Sequence, residues 1–139
     1  MNVKQYLRQL KRLDNIINAK FEQIVRLRSM MMSVTTNLTD DKIKSSSEPD
    51  KLSSVISEII DLENGLTNDI QNLMTLKQKI TLEIDSIQDD DYKLLLTLRY
   101  LNYKTWEQIA VEMGYTYQWI HMLHSRALVY FSEKVQGVE

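Results

Sequence analysis

Two groupings in this 139-residue chain hold residue types that bind metal ions. Asp89, Asp90 and Asp91 run in succession, and His121 and His124 stand three apart in a helical pattern. Neither grouping builds a site. Adjacent acids at a helix start point in different directions, and no third ligand is patterned near the histidines. The aspartates suit a helix N-terminus, where carboxylates meet the positive end of the dipole. The Ser45-Ser46-Ser47 run lacks the Gly residues of a phosphate cradle. No paired acid and base or activated nucleophile is evident, so the chain reads as a non-enzyme with no cofactor and no metal. Without Cys there is no disulfide and no thiolate site.

The remaining grouping is polar and aromatic. Residues 105–128 read T-W-E-Q-I-A-V-E-M-G-Y-T-Y-Q-W-I-H-M-L-H-S-R-A-L. Thr105 and Gln108 have the spacing of a capping box. Ile109, Ala110 and Met113 supply an apolar face, and Gly114 suits a left-handed stop. Thr116 caps a second helix whose Ile120, Leu123, Ala127 and Leu128 recur at helical spacing. Two short helices joined by a tight Gly-containing turn predict a helix-turn-helix, whose second helix fits a DNA major groove.

Long helices must carry that motif. Three Gly and one Pro leave few breaks, and 43% of residues are hydrophobic. The fold class is therefore all-α. In 3–34, Val3, Leu10, Ile17, Ile24 and Met31 fall seven apart, with Tyr6, Leu13, Leu27 and Val34 as companions and Lys20 as a polar break. In 50–87, Leu52, Ile59, Leu66, Leu73, Ile80 and Ile87 repeat the heptad, with Asp69 and Glu83 as breaks. Residues 35–49 read as a loop, with Pro49 in the first turn of the next helix and Ser47 or Glu48 near its cap. Gly65 marks a close approach or a bend. The two helices predict an antiparallel, coiled-coil-like hairpin over 1–88, followed by the helix-turn-helix domain over 89–139. In the latter, 91–101 is a buried helix, Asn102 to Lys104 a connection, and Gln136 to Glu139 a frayed end.

Such a hairpin has a thin core. Its flanking residues Phe21, Ile56, Ile70 and Ile84 gain burial against a third helix or a second copy, which predicts a homodimer. Met30, Met31 and Met32 are read as packing near the hairpin tip. Net charge is −2 and the pI about 5.7, unlike the basic footprint of a purely electrostatic nucleic-acid binder. The charge is uneven, however. Residues 1–34 carry seven basic against two acidic residues (+5), and 50–88 carry three against seven (−4). Two helices of opposite sign lying together is preferred to a basic arm for phosphates; the two are compatible. No apolar run is long enough to cross a bilayer, and the N-terminus alternates charged and apolar residues unlike a signal peptide. The expected location is the cytoplasm of a bacterial host cell, with no membrane partner.

The stretch L-x-L-R-Y-x-x-x-x-T-W-E-Q-I-A-x-E-M-G-Y-T, from Leu96 to Thr116, continues as x-x-x-I-x-x-L-x-x-R-A-L to Leu128. It resembles region 4 of the sigma-70-type sigma factors, which reads the −35 promoter element. The whole chain is similar to phage and prophage regulators of that type, grouped with late-transcription regulators of the ArpU and RinA kind. The likeness lies in Y-L-R-Q-L-K-R-L-D, S-S-x-x-P-D-K-L and K-T-W-E-Q-I-A…R-A-L. It implies that Tyr117, Gln118, Trp119, His121 and Met122 occupy base-reading positions, and that host RNA polymerase is a partner. Sigma factors are rich in Arg there, whereas no fixed cation lies between Tyr115 and Ser125.

The candidate DNA-binding set is thus Lys104, Thr116, Tyr117, Gln118, Trp119, His121, Met122, Ser125 and Arg126. Gln118 suits adenine, and Tyr117 a phosphate or a thymine methyl. Lys104 and Arg126, with Lys93, Arg99 or Lys134, suit phosphates, although Arg126 has an alternative in an acidic neighbour of its own domain. His121 and His124 add charge only when protonated. For Trp119, packing against the hairpin or a second copy is preferred to the DNA face. The expected function is a DNA-binding transcriptional regulator acting on double-stranded DNA. The alternatives are a protein–protein adaptor that has lost DNA binding, anchored by Tyr115, Tyr117 and Trp119, and a small-terminase-like DNA-packaging protein.

Overall fold

A computed structural model describes residues 1–40 and 47–136. The described residues are all-helical, with five α-helices. α1 spans Val3–Asp40, α2 Ser47–Asp85, α3 Asp90–Leu96, α4 Trp106–Met113 and α5 Tyr117–Tyr130. α3 continues as a π-helical turn over Thr97–Leu101, and α5 as another over Phe131–Gln136.

Both long helices extend into the stretch 35–49 that its composition marks as a loop. α1 runs on to Asp40, and α2 opens at Ser47 with Pro49 in its first turn. Thr35 and Thr36 tolerate the helix because their hydroxyls donate to the carbonyls of Met31 and Met32, four residues back, at 2.9 Å each. The centre of that loop, 41–46, and the end expected to fray, 137–139, lie outside the described residues.

Local capping sets the shorter helices. Asp89 accepts the Tyr92 N–H at 3.0 Å and opens α3, with Asp90 and Asp91 in the first turn. Thr105 and Gln108 form the reciprocal capping box of α4, with bonds of 3.0 and 3.2 Å. Gly114 takes φ 70°, and the Tyr115 N–H reaches back to the Ala110 carbonyl at 3.1 Å. Thr116 accepts the Trp119 N–H at 3.2 Å and opens α5.

The chain forms two compact units, Met1–Leu13 with Leu73–Glu139, and Asp14–Asn72. Packing therefore does not follow the chain boundary at 88. In the first unit, Leu7, Leu10, Ile80, Ile84, Ile87, Leu96, Tyr100, Ala127 and Phe131 share one core. Leu7 and Leu10 are fully buried, and each contributes roughly 1.5–3 kcal/mol to holding the start of α1 there. The Tyr6 hydroxyl donates to the Glu83 carboxylate. Leu95, Leu98, Ile109, Ile120 and Leu123 form a second core joining α3, α4 and α5.

In the second unit Ile24 and Ile59 are buried, and Lys20 pairs with Asp69 and Arg28 with Glu63. Phe21, Ile56 and Ile70 remain exposed, whereas the fourth expected flank, Ile84, is buried in the first unit's core. Met30 and Met32 are exposed rather than packed. A Cβ at Gly65 would meet nothing within 4 Å, so this glycine marks no close approach. Among the described residues, no helix is long and apolar enough to cross a membrane.

Candidate nucleic-acid interface

α5 has a buried side and an open side. Ile120, Leu123, His124 and Ala127 face the interior. Thr116, Tyr117, Gln118, Trp119, Met122, Ser125 and Arg126 are exposed. Thr116 to Trp119 form the helix start, Met122 lies one turn on, and Ser125 and Arg126 one turn further. Seven of the nine candidate residues thus share an open surface on one helix. His121 is half-buried, its ring 4.8 Å from Trp106 and 4.5 Å from Tyr117. Its Nε2 is buried with no hydrogen-bond partner among the described residues.

Trp119 joins neither core. Its ring meets Tyr115 edge-on at 6.4 Å, and the Arg126 guanidinium lies 5.3 Å over it. Among the described residues, Trp119 thus meets Tyr115 and Arg126, which stands two turns on along α5, rather than entering either core. Arg126 forms no ion pair among the described residues. It borders a shallow groove with Tyr92, Ser125, Val129, Tyr130 and Glu133.

Lys104, expected at phosphates, is half-buried, and its ammonium pairs with Glu112. Arg99 turns inward. It donates to the Lys104 carbonyl at 2.9 Å and lies 4.2 Å over the Trp106 ring. Lys93 is half-buried and Lys134 exposed.

His124 departs from its expected role as a surface charge. It is buried, and its Nε2 shares a 2.7 Å hydrogen bond with the Tyr100 hydroxyl. Burial lowers its pKa to about 4, with further lowering from the charges of Lys4, Arg99, His121 and Arg8. The ring is thus neutral at pH 7. Burial likewise raises the Tyr100 pKa, against the opposing pull of Arg99 and Arg8. Trp106 completes this support, 4.6 Å from the His124 ring. The Tyr115 hydroxyl donates to Asp91 at 2.8 Å, tying the α4–α5 turn to the start of α3.

Tyr100, Trp106 and His124 were not legible as a unit, since helical spacing marks only one element at a time. Among the described residues, no group of three or more His, Asp or Glu side chains is arranged to hold a metal ion. No protein-family model, curated protein or solved structure matches the chain.

Proposed function

We propose that this chain is a DNA-binding transcriptional regulator of the phage type, in which α4, the Gly114 turn and α5 act as a sigma-region-4-like helix-turn-helix. The observation that carries this reading is the open face of α5. Its capped first turn presents Tyr117, Gln118 and Trp119, while Ile120, Leu123 and Ala127 anchor the opposite side. An α-helix so supported fits a major groove. The pairing of Lys20 with Asp69 and Arg28 with Glu63 supports reading α1 and α2 as an antiparallel hairpin, since the partner numbers fall as α1 advances. A homodimer through that hairpin would read half-sites about 34 Å apart, or a multiple of that.

Selection of bound fragments from the genome of the parent element tests the reading. Enriched fragments are expected, with binding that weakens as salt rises. Gln118→Ala should cost about 1–3 kcal/mol at one A·T pair and relax the preference there. Arg126→Ala should weaken binding to every sequence. Failure to enrich any fragment defeats the proposal.

One observation favours a second reading, the protein–protein adaptor. The open face is aromatic, and its single fixed cation lies over Trp119. An adaptor shows no duplex binding at low salt and a stable protein complex lost on Trp119→Ala.

A further inference from the structure

A small cavity in the first unit lies among Leu7, Arg8 and Lys11 of α1 and Arg99, Tyr100 and Tyr103 beyond α3. Its volume is about 70 Å³, which suits a group no larger than a few waters. Three of its six lining residues are cationic. Among the described residues, none of the three forms an ion pair; the pairs present are Lys20–Asp69, Arg28–Glu63 and Lys104–Glu112. Like charges lining one cavity repel one another, and an anion between them removes that repulsion.

One wall of this cavity is held in place. Arg99 is fixed by its bond to the Lys104 carbonyl and its stacking on Trp106, which use only part of its five-donor fork. Lys11 stands 6.0 Å over the Tyr103 ring. Tyr103 has φ 58°, the one left-handed non-glycine backbone among the described residues. Such a conformation is strained and persists where surrounding structure imposes it. On α1, positions 8 and 11 are three apart and so share one side.

We propose that Arg8, Lys11 and Arg99 form an oxyanion site that binds one phosphate group. Two guanidinium forks and an ammonium match the oxygens of a tetrahedral phosphate, and Arg favours bidentate bonds to them. The positive field is felt nearby, since Arg99 and Arg8 both help keep the buried His124 uncharged. The phosphate comes either from a DNA backbone or from a free phosphate or phosphomonoester. The site does not depend on the regulator reading, because the second source needs no DNA.

The test uses the full chain and the exposed-residue double variant Arg8→Gln/Lys11→Gln, with unchanged thermal unfolding as the control for folding. Sodium phosphate is titrated against sodium chloride at matched ionic strength while the backbone amide resonances of Arg99, Tyr100 and Tyr103 are followed. Saturable shifts with phosphate alone, lost in the double variant, are expected. In a second arm, duplex affinity is measured against salt. If the phosphate belongs to DNA, the slope of log K against log salt falls by about one to two in the variant, with base preferences unchanged. Saturation by phosphate with no change in slope assigns the site to a free phosphate group. A change in slope without phosphate saturation assigns it to DNA alone. Phosphate behaving as chloride does, with equal slopes or no duplex binding at all, overturns the site. Absence of duplex binding alone defeats only the regulator reading, and the first arm then decides the cavity.

Discussion

His124 links folding to proton concentration. Its pKa of about 4 in the folded chain lies below the ordinary 6.5, so the fold prefers the neutral ring. The stability it supports is complete above about pH 6.5 and is lost as pH falls toward 4. Protonation would place a charge in a buried site already flanked by Lys4, Arg99 and Arg8. Between pH 7 and 4.5 the wild type should lose about 2 kcal/mol that His124→Gln, which can still hydrogen-bond Tyr100, does not. Urea unfolding at both pH values measures the difference, and parallel losses in the two proteins would refute it. The residues that were legible in the sequence act over three or four positions: Thr105 with Gln108, Thr116 with Trp119, and Asp89 with Tyr92. Tyr100 and His124 meet across 24 positions. No local pattern announces such a pair, and a histidine on a polar-looking stretch reads as exposed.

Helix boundaries divide along the same physical line. The heptads of α1 and α2 were plain because one apolar stripe repeats through each, and the polar breaks also had meaning. Lys20 pairs with Asp69, and Glu83 accepts a hydrogen bond from Tyr6, so each interrupting residue meets a polar partner within its own unit. Such contacts favour one alignment of two helices over a heptad-shifted one. Helix ends were less legible, because Thr35 and Thr36 look like loop residues until their hydroxyls bond back to the preceding turn. The π-helical turn at Thr97–Leu101 leaves no sequence mark either; there the Asn102 N–H reaches the Thr97 carbonyl five residues back, at 3.0 Å. Gly65 is the simplest place to test the helical account. It lies within α2 with open space where a Cβ would stand. Gly65→Ala should therefore stabilise the chain by about 0.8–1.0 kcal/mol through helix propensity alone. A rise in the urea midpoint at unchanged m-value checks this. A loss of stability would mean that the glycine serves a contact outside this chain.

Assembly is the remaining question for the molecule as a whole, and the second unit poses it. Phe21 and Val25 on α1 are 58% and 47% exposed, and Ile56 and Ile60 on α2 are 40% and 50% exposed. Phe21, Val25 and Met32 follow one another by four and seven positions, so they form a stripe on α1 rather than a scatter. Single exposed apolar residues are ordinary, but an aligned row of them, here interrupted at Arg28, is a surface that water disfavours. The fourth flanking residue, Ile84, is instead fully buried in the core of the first unit. A second copy covering the stripe is thus expected in the second unit, Asp14–Asn72. Light scattering should give twice 16.4 kDa for the wild type and 16.4 kDa for Phe21→Glu/Val25→Glu, with helical content retained in both. The same variant should bind a single half-site as well as the wild type does, yet lose the added affinity for two half-sites spaced one helical turn apart, since linkage of two weak sites multiplies affinity without any new contact. A wild type that stays at 16.4 kDa up to millimolar concentration would rule out the dimer. The stripe would then have to be covered by a different protein, and paired half-sites would lose their physical basis.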